Sequence, residues 1–272
     1  MVFVVFLKAF CEGGNDMRYN RYLTSSEIRS QARRTLSGRW KEVILLHLVP
    51  ILISIIVTGG IIGFSLIAFS RMAYNFEESD NNIIINFALS FITVGISYAL
   101  LDLVRNKNYR INPLQDAFQV FSRRYFIPVL LIQLLQGLFV TLWTFLFIIP
   151  GIVKSYAYSQ ALFIYKDRSE DYENGYPSSL ECITESKIMM HGHKGRLFLL
   201  HLSFLGWNLL EVVTIGIASI YVRPYFSTVE AIFYDNLKEV SQGELVDHHY
   251  NEELRYQETF YEDSDEDDFD DF

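Results

Sequence analysis

The sequence predicts an all-α fold: a polytopic transmembrane bundle of about six spans built from helical-hairpin repeats, with a disordered acidic C-terminal tail. Three observations predict it. Half of the 272 residues are hydrophobic and 15% are aromatic, and the apolar ones fall in long uninterrupted blocks instead of the short alternations of a soluble core. Lys and Arg gather in the segments between alternate blocks. The acidity belongs to one end: Lys238 to Phe272 holds 14 acidic and two basic residues, a net of −12, so the other 237 residues carry +3 within the whole-chain −9.

Residues 1–23 read as an N-terminal extension. Met1 to Phe10 is apolar but short, and Lys8 follows the apolar run, the reverse of a signal peptide. It reads as a weak interfacial segment, or as residues upstream of a start at Met17. The membrane domain covers 24–237. A bilayer core about 30 Å thick takes about 20 apolar residues of helix. The first block is 43–69, loosened by Pro50, Gly59, Gly60 and Gly63, and the second is 83–104. The third, 126–149, is the most apolar. The fourth, 152–165, is short, but it follows Pro150-Gly151 so closely that it reads as the return leg of a hairpin. The fifth is 197–214. The sixth, 220–237, is interrupted by Arg223, Glu230 and Asp235, and an interfacial helix is its rival reading. Residues 238–272 are the tail.

Orientation follows from the basic residues, which stay on the cytoplasmic side. Eight precede the first span. Arg105, Lys107, Arg110, Arg123 and Arg124 lie between the second and third spans, and Lys166, Arg168, Lys187, Lys194 and Arg196 between the fourth and fifth. With Lys238 and Arg255 these are 20 of the 23; the others are Arg71, Lys154 and Arg223. The first external loop carries Glu77, Glu78 and Asp80 instead. The expectation is a multi-pass protein of the cytoplasmic (plasma) membrane with both termini inside.

An internal repeat emerges from the cytoplasmic segments. Thr24-Ser-Ser-Glu27 and Ser178-Ser-Leu-Glu181 are both capping boxes, 154 residues apart. The same offset pairs Gly38 with Gly192, and Leu45-Leu-His-Leu48 with Leu199-Leu-His-Leu202. A looser middle copy begins at Asn112-Pro113, with proline at the first helical position, and continues to Ser122-Arg-Arg-Tyr125, which matches Ser37-Gly-Arg-Trp40. Each unit is a short amphipathic helix, a basic break and a hairpin. Ile28, Ala32 and Leu36 share one face of the first such helix, and Leu114, Phe118 and Phe121 one face of the second. Beside those stripes Arg33, Arg34, Arg39, Arg123, Arg124, Lys194 and Arg196 are the candidate contacts to anionic headgroups. Ordinary packing of connecting helices on the bundle's rim is the competing reading.

Four ordered motifs carry a resemblance. They are Phe147-Ile-Ile-Pro-Gly-Ile152 with Tyr156 and Tyr158, Met190-His-Gly-His-Lys-Gly-Arg-Leu-Phe198, Leu205-Gly-Trp207, and Pro224-Tyr225 leading to Phe233-Tyr234. Over Thr24 to Leu237 the chain resembles a family of Gram-positive bacterial membrane proteins known as domain of unknown function 975. In layout it is similar to the membrane domains beside some glycerophosphodiester phosphodiesterases. The resemblance implies a multi-span bacterial membrane protein and brings no catalytic residues with it.

Polar and ionisable residues inside spans are the functional candidates. Asn86, Ser90, Thr93 and Ser97 line one face of the second span, where they either bind a neighbouring helix or border a wet cavity. Gln133 and Gln136 form a similar pair. Lys154 and Glu211 sit at matching depths near the outer side, which suggests a mutual ion pair. Glu230 is closer to mid-span with no obvious partner, and proton or ion coupling is one use for it. His47 and His201, equivalent in the repeat, are expected to bond to backbone or to each other. His191 and His193 lack a third ligand for a metal, and Cys11 and Cys182 are too far apart in sequence for a disulfide framework or a zinc site.

No phosphate loop, nucleophile elbow or catalytic carboxylate pair is present, and no cofactor is implied. The first functional reading is therefore a non-enzymatic structural or accessory component of the membrane. A small transporter or lipid-handling permease is the alternative, and a membrane-embedded enzyme the third. Asn86, Thr93, Lys154, Glu211 and Glu230 around a wet path would favour the second; the same groups packed dry would favour the first. The expected partners are the bilayer and its anionic headgroups, together with a basic or protein partner for the tail; nucleic acid is not expected. The tail, on the same side as the basic helices, could compete with anionic lipid for them, with Phe260, Tyr261, Phe269 and Phe272 adding apolar contacts.

Overall fold

The computed structural model describes residues 22–69, 81–170 and 176–266, with side chains over 22–56, 87–170 and 176–242. Among the described residues every regular element is helical. The amphipathic α1 (Ser25–Leu36) precedes the long apolar α2 (Trp40–Phe69) and α3 (Asn81–Arg105). A short α4 (Pro113–Phe118) and a 3₁₀ turn (Gln119–Phe121) lead into α5 (Phe126–Leu146). The chain returns through α6 (Ile148–Tyr158) and α7 (Ala161–Glu170), then enters α8 (Ser179–Met189). It finishes with α9 (Lys194–Leu202), α10 (Leu205–Val213) and α11 (Ser219–Glu266).

The local signals act where the sequence puts them. Thr24 Oγ1 accepts from Glu27 N at 3.3 Å while Glu27 Oε2 accepts from Thr24 N at 2.7 Å, and Ser178 and Glu181 form the same reciprocal cap at the head of α8. Ile28, Ala32 and Leu36 are buried as the stripe of α1. Pro50 is carried within α2, and Pro150 falls in the first turn of α6, where a missing N–H leaves no bond unmade. Gly151 is needed there: an added Cβ would overlap the Thr144 side chain of α5.

Among the described residues three stretches are long and apolar enough to cross a membrane: Phe87–Arg105, Phe126–Leu146 and Lys194–Val213. They differ in position. In the α3 stretch 56% of the residues are buried, against 11% in α5, so α3 is central and α5 peripheral. The other central helix is α11, which packs on α1, α2, α3, α8 and α10. The short helices lie against the long ones: α4 on α2 and α3, α8 on α5, α6 and α7, and α1 on α9 and α11. Leu138, Leu142, Phe145 and Phe147 around the α5–α6 turn, and Leu209, Val212, Val213 and Ile215 around the end of α10, stay exposed as an apolar outer surface.

Several elements differ from expectation. The α5–α6 turn falls at Phe147, with extended backbone, so α6 begins before Pro150-Gly151. The fourth block bends between Tyr158 and Ala161, and the fifth divides at Ser203–Phe204, where Phe204 N donates to His201 O at 2.9 Å in a tightened turn. The middle amphipathic helix turns its apolar stripe outward, unlike α1, and does not use it to pack on the rim. Leu114, Phe118 and Phe121 are exposed, while Asp116, Ala117 and Val120 face inward. The reason is Gly95 of α3: lacking a Cβ, it lets the Ala117 carbonyl close in, and Gln119 Nε2 donates to Gly95 O at 2.8 Å. The helix α11 is described as far as Glu266 and so takes in much of the acidic segment. Residues 267–272, Cys11 and the loop bearing Glu77, Glu78 and Asp80 lie outside the described residues.

Candidate functional site

Two concentrations of polar groups follow each other along α3 and α11. The first is a cavity of about 820 Å³ between α2, α3, α10 and α11. From α2 it is lined by His47, Ser54 and apolar Pro50, Ile51 and Ile55; from α3 by Leu89, Ser90, Thr93 and Ile96. The α10 side contributes Asn208 and Glu211, and α11 contributes Ser219, Arg223, Ser227 and Glu230. Arg223, Ser227 and Glu230 share one face by their i, i+4, i+7 spacing, with roughly 10 Å of helix between the first and last. A smaller cavity of about 330 Å³, reaching Gln133, Ser159 and Gln160, shares Ser90, Thr93 and Glu230 with the first.

The hydroxyls of α3 explain how a polar stripe survives there. Ser90, Thr93 and Ser97 each donate to a carbonyl of the preceding turn, at 2.6, 3.1 and 3.1 Å. Their oxygens can still accept from the cavity side. Ser90 also reaches Gln133 Oε1 at 3.2 Å, and Gln136 donates to Tyr158 O at 2.6 Å, so the glutamine pair joins helices as well as facing space.

Thr93, Glu211 and Glu230 therefore lie on one cavity. Lys154 does not: its Nζ stands 4.8 Å from the centre of the Trp143 ring, and among the described residues no ion pair joins it to Glu211. The suggested Lys154–Glu211 pair is thus not formed; matching depths placed the two at one level but not on facing sides. The side chain of Asn86 lies outside the described residues. Glu230, expected without a partner, has one in His201, whose Nε2 is 3.4 Å from its Oε1. The separation suits a charge pair, yet Nε2 makes no aligned hydrogen bond. His47 has Nδ1 on Val43 O at 2.9 Å and Nε2 on Ser227 Oγ at 3.4 Å. Arg223, which was no candidate in the sequence, was open to the same rule that flagged Lys154: an ionisable group inside a span is a functional candidate.

The second concentration is an ionic clasp. Arg105 of α3 grips Asp167 of α7 with two bonds, 2.6 and 3.0 Å, and Asp235 of α11 at 2.6 Å. Lys238 and the Tyr234 hydroxyl each donate to Asp167 Oδ2 at 2.7 Å. Beside it the buried Lys166 pairs with Asp102 and donates to Tyr98 O at 2.8 Å. Burial alone would push the Asp167 carboxyl up; the hydrogen bonds from Arg105, Lys238 and Tyr234 outweigh it and hold that carboxyl below the ordinary carboxylate range. Here charge is satisfied by charge, and little is left to offer a ligand.

The expected headgroup contacts separate into two sets. Arg33 donates to the Tyr225 hydroxyl at 3.3 Å, Arg39 to Lys107 O and Glu42, and Arg196 to Leu23 O at 2.8 Å while lying over the Tyr22 ring. Arg124 is half-buried between Tyr125 and Tyr176. Those four have partners on the rim, Arg33 while remaining exposed, whereas Arg34 and Arg123 stand exposed without such a contact among the described residues. Lys194 is half-buried at the head of α9. Among the described residues no group of three or more His, Cys, Asp or Glu could hold a metal ion.

The family model described as "Protein of unknown function (DUF975)" matches residues 17–160 and 146–241. No curated protein and no solved structure matches the chain. Since the matched stretches cover most of the sequence and contain both the cavity and the clasp, the chain belongs to the DUF975 family, whose function is unknown.

Proposed function

We propose that the chain is a small permease of the cytoplasmic membrane that admits a polar solute or a lipid headgroup to a cavity inside its helical bundle. The observation that carries this reading is the 820 Å³ cavity on which Glu211, Arg223 and Glu230 converge with Asn208, Ser54, Ser227 and Thr93. Among the described residues neither Glu211 nor Arg223 forms an ion pair. A structural or accessory protein would be expected to pack these groups dry, because an unpaired charge in an apolar interior is costly. A binding cavity keeps them hydrated until a ligand replaces the water.

The membrane layout that serves this function has six spans, with both termini on the cytoplasmic side. The basic segments, the length of α2 and the two-part return legs α6–α7 and α9–α10 support it. Its three units are repeats. Their support is the twin capping boxes, Gly38 and Gly192 at φ of 79° and 80°, and the order of packing. Each amphipathic helix lies on the hairpin of the unit before it, and the first lies on the last, closing a ring. On this reading Arg34 and Arg123 face anionic headgroups, and the acidic segment after Lys238 competes with lipid for the basic helices.

Native mass spectrometry of the full-length protein, extracted with its lipids and then delipidated in steps, tests the ligand. A small polar species or phospholipid should stay bound to the wild type and be lost from Arg223→Gln and Glu211→Gln. Equal retention by all three proteins would contradict a cavity ligand.

A further inference from the structure

The two histidines equivalent in the repeat hold their protons differently, and the difference marks a site. Nδ1 of His47 faces the Val43 carbonyl at 2.9 Å, and a carbonyl only accepts, so the proton of that ring is fixed on Nδ1. His201 has no such anchor. Its Nδ1 lies 3.4 Å from the Tyr156 hydroxyl, which can donate or accept, and its Nε2 lies 3.4 Å from Glu230 Oε1 with no aligned hydrogen bond. The ring rests against Tyr156 and Phe226, with centroids 5.5 and 5.0 Å away. Glu230 opens onto both cavities.

We propose that His201, Glu230 and Tyr156 form a proton-binding site at the junction of the two cavities, so that the permease proposed above carries a proton with its ligand. In the unloaded state the Nε2–H lies beside the Glu230 carboxylate, 3.4 Å away by heavy atoms and not aligned with it, and the Tyr156 hydroxyl donates to Nδ1. A proton from cavity water then binds Nδ1, and Tyr156 turns its hydroxyl to accept from it. The imidazolium so formed stands beside the carboxylate, and the pair changes from a net charge of −1 to zero with no heavy atom displaced. The charged and titratable groups facing this site across the cavity are His47 of α2, Glu211 of α10 and Arg223 of α11; α3 contributes only hydroxyls. Neutralising the pair leaves Arg223 opposed by less net negative charge, so proton loading favours a ligand with a negatively charged group.

Infrared difference spectra of the full-length protein in phospholipid nanodiscs, taken between about pH 5 and pH 8, read the site directly. The wild type should show imidazole and phenol bands that change together. The phenol component, with the imidazole component that changes together with it, should vanish in Glu230→Gln and in His201→Gln and persist in His47→Gln, whatever the other histidines contribute. Tyr156→Phe fills the same space, and should lose the phenol component alone. A phenol component that survives in both Glu230→Gln and His201→Gln, or a wild-type spectrum with no phenol component, would overturn the proposal. The proton site rests on the cavity reading but fails separately: a retained cavity ligand with no proton-linked bands removes the former and leaves the latter.

Discussion

In the clasp, Arg105, Asp167, Asp235 and Lys238 come from three helices and consume one another's charge, with Asp167 left 6% exposed. Five residues back along α11, the ion-pair partner of Glu230 among the described residues is an imidazole, and a further two turns back Arg223 lines the cavity that Glu211 also lines. Two helices, α3 and α11, supply charged or polar groups to both regions, with α7 added in the clasp and α2 and α10 around the cavity. The clasp joins the ends of chain segments that must stay together, while the cavity leaves its charges for something that arrives. Ionic pairing is therefore a guide to which groups are structural and which are available.

The largest effect expected from this contrast is on stability. Asp167→Asn leaves Arg105 and Lys238 without their shared acceptor and should cost about 3 kcal/mol in reversible unfolding from mixed micelles. Arg223→Gln, on the cavity wall, should change stability by less than about 1 kcal/mol. Equal losses would erase the distinction.

Coupling gives a finer test. In a double-mutant cycle, Arg105→Met with Asp235→Leu should depart from additivity by about 1 kcal/mol or more, whereas Lys154→Met with Glu211→Leu should add within about 0.5 kcal/mol. Non-additivity in the second cycle would restore the pair that the geometry separates.

Acid titration should act on a loop residue before it reaches the clasp. Burial, with Arg196 and His191 nearby, pushes His193 down to about 4, below the roughly 6.5 of an unfolded histidine. The unfolded chain then binds the extra proton first, so the stability due to a neutral His193 is present above about pH 6.5 and lost as pH falls towards about 4. The Asp167 contribution, held below the ordinary carboxylate range, is lost only at lower pH. His193→Gln should flatten the upper of these two slopes in unfolding curves and leave the lower one; an unchanged upper slope would assign it elsewhere.

Much of the fold was legible in the residues because its signals are local. Thr24 and Ser178 cap the helices they precede, and Ile28, Ala32 and Leu36 are buried together. Periodicity could show that Leu114, Phe118 and Phe121 share a face, but not what that face would meet, since lipid and protein select the same side chains. The clasp was out of reach for another reason. Arg105 and Asp235 lie 130 residues apart, and counting basic residues by side treats the buried Lys166 and the exposed Arg123 alike. The candidate site was half visible: Thr93, Glu211 and Glu230 stood out as polar groups in apolar blocks, yet depth along a span gives no direction around it, and Lys154 was misjudged for that reason.

Whether the cavity is wet is the claim on which the rest depends, and thiol labelling measures it. With Cys11 and Cys182 replaced by serine, single cysteines are placed at Ser227 on the cavity wall and at Leu142 and Val212, which are 64% and 76% exposed on the apolar outer surface. In nanodiscs, a small charged thiosulfonate should modify Ser227→Cys quickly and leave Leu142→Cys and Val212→Cys unmodified, because lipid covers the latter two. A Ser227→Cys as unreactive as they are would mean a dry interior, and would return the protein to a structural role.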